Sequence, residues 1–355
     1  MSSRHINIPI FIPHLGCPNN CVFCNQRSIS GHTDFVKENV KEEIETALST
    51  IPMGDDIEVE IAFFGGSFTG IDRELMLYLL GVAYEYVCEG RVDSIRLSTR
   101  PDYIDDEILE ILGGYGVKTI ELGLQSMDDA VLSASRRGHS RECAERACRK
   151  IKEHGFQLVG QMMIGLPMSD IEKEIFTAKE ICRMGADGAR IYPTVVFYDT
   201  ELCEMSKAGE YIPLDIEDAV IRTKEVLKIF DLNDVPCIRI GLCASENLSS
   251  EDKVFGGANH VSVGELAMGE LFFDKICEAL DVAENKRKCD TLVIYVPNGA
   301  TSKAIGQKKR NIQRIKDKYF VNLGINSVRV IEKSQLLRYN IMIDFLNFGG
   351  KIPCI

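Results

Sequence analysis

The 355-residue chain lacks any apolar run long enough to cross a bilayer, and its opening MSSRHINIPIF has neither the apolar core nor the small-residue cleavage site of a secretory signal. These absences lead to the expectation of a soluble, cytoplasmic protein without a membrane partner. No internal repeat is present, which sets repeat architectures aside. Base is in deficit as well. The 53 Asp and Glu outnumber 41 Lys and Arg for a formal charge of −12, so the surface as a whole is no nucleic-acid glove. Among thirteen cysteines, no second CxxC or CxxxC group follows the first cluster. Without a secretory signal, such thiols belong to a reducing compartment, where scattered cysteines serve as small buried hydrophobes.

The material present is ordinary globular stock, 45% apolar and 26% charged. The length exceeds one comfortable core, so a barrel-sized domain with a smaller companion is expected. Short β-rich runs alternate with amphipathic stretches: INIPIFI, IEVEIAFF, SIRLST, VKTIELGL, QLVGQMMIGL and GARIYP, each followed by a helix or crossover. Six such units predict a parallel sheet with helices outside, an α/β fold that is open or curled into an incomplete (β/α)6 TIM-like barrel. Functional groups then gather at the C-terminal ends of the strands. Past Pro193 the pattern loosens into a helix at Asp215 to Phe230, a strand in PCIRIGL, a glycine-rich connection at Phe255 to Gly264 and another helix. Boundaries are expected at residues 1–211 for the core, 212–284 for an extension completing its side, and 285–355 for a small α+β domain.

Cys17, Cys21 and Cys24 in CPNNCVFC follow the first strand. Three thiolates at x3, x2 spacing ligate three irons of a [4Fe-4S] cluster and leave the fourth iron open to a small molecule. Zinc is the rival reading, but structural zinc takes four ligands, and His14 and His32 nearby lack a companion motif.

The trio, with Phe23 before its last cysteine, resembles the radical S-adenosylmethionine (SAM) superfamily. FFGGSFTG, STRPDYID, IELGLQSMDDAVLSASRRGHS and MIGLPMSD, in order, narrow the resemblance over Ile6 to Tyr211 to the radical domain of the Elongator catalytic subunit, which modifies wobble uridines of tRNA; oxygen-independent coproporphyrinogen oxidase is more distant. The resemblance implies a [4Fe-4S] cluster whose open iron chelates S-adenosyl-L-methionine, reductive cleavage to a 5′-deoxyadenosyl radical, and a reductant such as flavodoxin or ferredoxin. It places Gly65, Gly66 and Ser67 beside the methionine amino group, Gln125 on the ribose hydroxyls, Arg137 on the methionine carboxylate with Arg136 as the alternative, and Phe23, Gly165 and Pro167 near adenine. Arg100 is open between cofactor, substrate and a clamp on Asp102, and Tyr192 is expected to face substrate. The cysteine loop is shorter than the Elongator form and no acetyltransferase region follows, so the acetyl-CoA reaction does not transfer. Methylthiolation, which needs a second cluster, is disfavoured. His260 and Glu265 acquire no role.

Between Lys286 and Lys318, ten Lys and Arg face two Asp, a local +8 in an acidic chain. TLVIYVP, GATSKAIGQKKRNIQRIKDKYF, SVRVIEK and IMIDFL resemble a KH domain, in which the loop between two helices grips single-stranded nucleic acid. Here that loop is Gly306, Gln307, Lys308, Lys309 and Arg310, with lysine where the second glycine belongs. The joint reading is a radical enzyme that modifies tRNA or ribosomal RNA; a small metabolite or protein substrate, or a non-catalytic iron-sulfur RNA-binding regulator, are the alternatives.

Overall fold

The computed structural model describes residues 4–12, 15–17, 21–25, 35–52, 54, 57–242, 253–283 and 291–346. The chain forms two compact units, Met1–Asp215 with Val235–Val261, and Ile216–Asp234 with Ser262–Ile355. No helix among the described residues is long and apolar enough to cross a membrane.

In the first unit the strands are β1 (Arg4–Ile12), β2 (Ile57–Gly65), β3 (Ser94–Thr99), β4 (Val117–Gln125), β5 (Gln157–Ile164), β6 (Gly188–Pro193), β7 (Val195–Phe197), β8 (Cys237–Ile240) and β9 (Val254–Gly257). The helices are α1 (Val40–Thr50), α2 (Arg73–Cys88), α3 (Asp106–Gly114), α4 (Asp129–Ala134), α5 (Arg141–Glu153), α6 (Ile171–Arg183) and α7 (Glu201–Lys207). β1 to β6 and then β8 pair in parallel in that order. Because each crossover advances one strand in the same direction, the sheet curls with its helices on one face and forms a half-barrel. The expected six strands are joined by a seventh, PCIRIGL, which extends the sheet through its pairing with β6.

Local sequence explains the helix starts. Side chains of Asp72, Asp105, Asp128, Ser140, Asp170 and Thr200 cap α2 to α7 in turn, accepting backbone N–H groups that the first turn leaves unpaired. All but Ser140, which joins α4 to α5, sit in loops leading out of a strand, so those loops are pinned where the chain leaves the strands.

The strands alternate cleanly. Ile8, Ile10 and Ile12, Ile61 and Phe63, Ile95 and Leu97, Ile120 and Leu122 are buried on the helix side. The intervening positions carry charge. His5 pairs with Glu60; Ser94 Oγ and Arg96 Nε donate to Glu60 at 2.7 and 2.8 Å; Arg96 Nη1 and Arg190 Nη2 both donate to Glu121 Oε1, at 3.0 and 2.6 Å. Gln161 Nε2 donates to Glu121 Oε2 at 3.2 Å. Polar residues from each of β1 to β6, two of them from β3, thus form a file across the face away from the helices. Burial works to raise the Glu60 carboxyl, but Arg96, Ser94 and His5 outweigh it and hold the group below the usual carboxylate range.

The second unit contains α8 (Ile216–Leu232), α9 (Val263–Val282), β10 (Thr291–Val296), α10 (Thr301–Ile305), α11 (Arg310–Leu323), β11 (Ser327–Glu332) and β12 (Met342–Leu346). β10 lies between a parallel β11 and an antiparallel β12. Phe272, Ile276 and Leu280 of α9 pack with Leu292, Ile294 and Val296 of β10 and with Ile315 and Tyr319 of α11. The core of this unit therefore differs from the sequence boundary at residue 284. The switch from acidic to basic composition marks a connection, whereas the apolar face of α9 belongs to the sheet that follows. α8 joins by ion pairs, Lys275 to Asp231 at 2.6 Å and Lys224 to Asp274 at 2.8 Å.

Glu121 is fully buried between two guanidiniums. Replacing it by the isosteric amide in Glu121→Gln withdraws the carboxylate charge that both guanidiniums share, while Arg96 keeps Glu60, and a loss of about 3–5 kcal/mol is expected from urea denaturation of the variant against the parent.

Candidate functional site

The cysteine loop lies directly on the loop after β2. Gly66 N donates to Ile12 O at 3.0 Å and Ser67 N to Leu15 O at 3.2 Å. A Cβ on Gly65, whose φ is +119°, would stand 2.5 Å from Ile12 O, and one on Gly66 would stand 2.1 Å from Leu15 O. Gly16 and Gly70 interlock from the other side in the same manner. The space that side chains at these glycines would take is filled by backbone of the cysteine loop. Ser67 is buried, its Oγ bonded to Thr99 at 2.8 Å and accepting from Arg100 N at 3.3 Å.

The far side of the loop is held as firmly. Val22 N donates to Ser135 O at 3.2 Å, and Leu202 N at the start of α7 donates to Val22 O at 2.8 Å. Phe23 packs beside Val22, Val196, Leu202, Cys203 and Tyr211. Residues 18–20 within the loop, and His14 and His32, lie outside the described residues.

Cations gather on the thiols. Arg137 Nη1 donates to Cys21 Sγ at 3.5 Å and Nη2 to Gly123 O at 2.7 Å. Arg100 forks onto Asp102 at 2.9 Å through two nitrogens, and its Nη2 also donates to Arg137 O at 2.7 Å. Arg100 is thereby a clamp that braces Arg137. Burial pushes the Cys17 thiol up, opposed by Arg137, Arg100 and the Ser67 backbone N–H. Arg136 is exposed and paired with Glu201, so of the two neighbours it is Arg137 that lies against Cys21.

Gln125 ends β4 at a bulge with φ +66°, close to Gly123 and Arg137. Among the described residues its buried Oε1 has no hydrogen-bond partner, nor have Arg137 Nε, Arg100 Nη1 and Ser135 Oγ. The GLP turn is committed internally: Gly165 N donates to Glu174 Oε1 at 2.8 Å, and Tyr211 OH donates to Gly165 O at 2.6 Å. Gly165 thus commits its N–H and one lone pair of its carbonyl within the protein, and Pro167 has no N–H. Tyr192 OH accepts from Arg190 Nη1 at 3.2 Å on the polar face, and burial raises its pKa against the pull of Arg190. The glycine-rich segment serves packing, since Gly257, with φ +90°, lets β9 pair with β7 against Thr194 O. His260 is exposed, and Glu265 of the second unit stands 4.0 Å from Lys303.

Sequence reasoning missed the charged file, although each member was visible as a lone polar residue inside an apolar strand, as in IEVEI, SIRLS and IELGL. It also passed over His139. That imidazole is buried, and neither ring nitrogen meets a well-formed hydrogen-bond partner among the described residues.

The donor set fits an anionic cluster with a polar ligand. Three thiols share one loop, two guanidiniums and a backbone N–H counter the burial of Cys17, and polar atoms with no partner among the described residues stand next to them. No three His, Cys, Asp or Glu among the described residues gather as donors of a single ion; a four-iron cluster makes another demand, one thiolate per iron.

In the second unit, Gly306 has φ +74° and its missing side chain admits the buried Asn311, whose Nδ2 donates to Gly269 O at 2.8 Å. Lys309, in the place of the second glycine, adopts φ +61°, the left-handed conformation that glycine favours. Gln307, Lys308, Lys309 and Arg310 are exposed at the start of α11, while Arg314 is tied to Glu270 at 2.7 Å. Residues 284–290, with the first three bases of the tail, lie outside the described residues.

Burial first, then Arg137 and Arg100, holds the His139 pKa down to about 3. Between pH 6.5 and 3 the unfolded chain binds a proton that the folded chain refuses, so stability declines as pH falls through that window. His139→Asn is expected to flatten this part of a stability profile measured by urea denaturation between pH 7 and 4, and an unchanged slope would show that His139 titrates normally.

A family model described as the radical SAM superfamily matches residues 11–178, and one described as the radical SAM C-terminal domain matches residues 186–271. An uncharacterized protein of Methanocaldococcus jannaschii is 31% identical over 59% of this chain and 66% of its own length. The tRNA uridine(34) acetyltransferase of Methanocaldococcus infernus is 35% identical over 37% of this chain and 25% of its own, and human Elongator complex protein 3 is 26% identical over 59% and 46%. The chain therefore spans between a quarter and two thirds of these curated relatives. A solved structure of the archaeal Methanocaldococcus infernus Elp3 superposes with a TM-score of 0.59 at 21% identity, covering 76% of this chain and 63% of that one, a likeness of fold. With the cysteine loop, the half-barrel and two adjoining family matches in agreement, the chain belongs to the radical SAM superfamily.

Proposed function

We propose that this protein is a radical SAM enzyme that modifies a nucleotide of RNA, tRNA or ribosomal RNA, in the cytoplasm with electrons from a flavodoxin or ferredoxin. The cofactors of its family are a [4Fe-4S] cluster and S-adenosyl-L-methionine. The observation that carries the catalytic half is the cysteine trio clamped in one loop with Arg137 against Cys21 Sγ. Cys17, Cys21 and Cys24 would hold the cluster; Gln125, Phe23 and the remaining donors of Arg137 and Arg100 would bound the nucleoside and methionine parts. When bound, this pair supplies a 5′-deoxyadenosyl radical from the sulfonium after one-electron reduction.

The chain's own part is orientation and exclusion. The glycine interlock fixes the thiols relative to β2, the Ser135 and Leu202 bonds prevent the loop from lifting, and the apolar packing of Phe23 keeps water from one flank. The charged file offers donors and acceptors to a polar substrate. Tyr192, accepting from Arg190, keeps its proton and is free to donate it to that substrate.

The RNA half is supported by the names of the relatives and by the KH-like loop. Lys308, Lys309 and Arg310 are exposed beside the first turn of a 14-residue helix, where backbone amides and the helix dipole add to their charge. Support for a nucleic-acid target in an acidic protein thus rests on one local patch.

Two measurements test the parts separately. Reconstituted protein with dithionite and S-adenosyl-L-methionine is expected to release 5′-deoxyadenosine, read by chromatography, and Cys24→Ala is expected to abolish it. The triple charge reversal of Lys308, Lys309 and Arg310 to Glu is expected to weaken tRNA binding at least about tenfold in a filter assay near 50 mM salt, with a smaller salt slope. Equal binding by the reversed variant would remove the RNA assignment and leave the catalytic one intact.

A further inference from the structure

Arg137 is more tightly engaged than carboxylate recognition requires. Nη1 donates to Cys21 Sγ at 3.5 Å and Nη2 to Gly123 O at 2.7 Å, leaving only Nε without a partner. The arginine is held from behind too. Its own N donates to Leu132 O at 2.9 Å, and its O accepts from Arg100 Nη2 at 2.7 Å, with Arg100 forked onto Asp102. A Cβ on Gly123 would stand 2.8 Å from Nη2, so the guanidinium occupies a notch that only glycine leaves open. The turn that delivers Arg137 also supplies Ser135 O to Val22 N, next to Cys21. Cysteine loop and guanidinium are therefore fastened to one piece of backbone.

We propose that Arg137 is a positioning residue for the Cys21 thiolate, holding a cation and an N–H against its sulfur so that a cluster bound there is easier to reduce. The inference rests on reading the trio as cluster ligands. Reduction adds negative charge to a centre already carrying anionic thiolates. A buried guanidinium at one sulfur stabilises the reduced state more than the oxidised one, and so raises the potential. Carboxylate recognition, the role the resemblance implies, takes two parallel N–H groups of one fork, and here each terminal nitrogen already gives one of its two N–H groups to a protein acceptor.

The test is a redox titration of the reconstituted protein followed by electron paramagnetic resonance, on the parent, Arg137→Gln, Arg137→Lys and Arg136→Gln. Arg137→Gln is expected to move the reduction equilibrium at least tenfold toward the oxidised cluster, about 59 mV for a one-electron couple. Arg137→Lys keeps the charge without the fork and is expected to fall between Arg137→Gln and the parent; it carries the test should the glutamine variant fail to take up iron. Arg136→Gln, whose side chain is exposed on Glu201, is expected to leave the potential unchanged. An unchanged potential in both Arg137 variants, with S-adenosyl-L-methionine binding weakened in equilibrium dialysis, would overturn this proposal and return Arg137 to the carboxylate. A parent protein that shows no four-iron signal would overturn the cluster reading itself, and this proposal with it.

Discussion

The contact on which the rest depends is one of backbone on backbone: the loop after β1 rests on the loop after β2 with no side chain between them. Gly16, Gly65, Gly66 and Gly70 make that approach possible, each at a place where a Cβ would meet a main-chain atom at 2.1–2.5 Å or, for Gly16, backbone of both Ser67 and Gly70. A short loop bearing three thiols has many conformations of its own, and ordering it costs about 1–2 kcal/mol per residue. The interlock, with the bonds to Ser135 and Leu202, supplies the order from outside the loop. Everything charged in the neighbourhood is then placed relative to a fixed set of sulfurs.

A second constraint follows from the half-barrel. A closed barrel fills its interior with apolar side chains, whereas this sheet presents Glu60, Arg96, Glu121, Gln161 and Arg190 across its inner face. Buried ion pairs of this kind contribute little net stability, because desolvation offsets their attraction. Their retention fits a polar ligand. The same sheet that holds the thiols at one end therefore offers hydrogen-bond partners in place of a packed core.

Much of the architecture was legible. β-rich runs such as INIPIFI and SIRLST, alternating with amphipathic stretches, gave the strands and their crossover helices, because both signals are local. The cysteine trio was legible for a similar reason, since its spacing alone states its chemistry. What stayed hidden depends on distant partners. Gly65 and Gly66 were noticed, yet what fills their missing side chains is backbone fifty residues earlier. Arg100 was left between three roles because its choice of Asp102 and Arg137 O is a tertiary fact. The bonds of Gly165 to Glu174 and Tyr211 were hidden for the same reason. The grouping of α9 was missed because composition changes at a connection, while cores are assembled from faces.

The central claim is that three thiolates hold a four-iron cluster and leave one iron free to bind S-adenosyl-L-methionine. Electron paramagnetic resonance of the anaerobically reconstituted, reduced protein, recorded without and with S-adenosyl-L-methionine, tests it most directly. The account predicts a [4Fe-4S] signal whose g-values change when the cofactor is added, since the open iron gains new ligands. A four-iron signal that the cofactor leaves unaltered, or a protein that retains zinc and no iron, would contradict it.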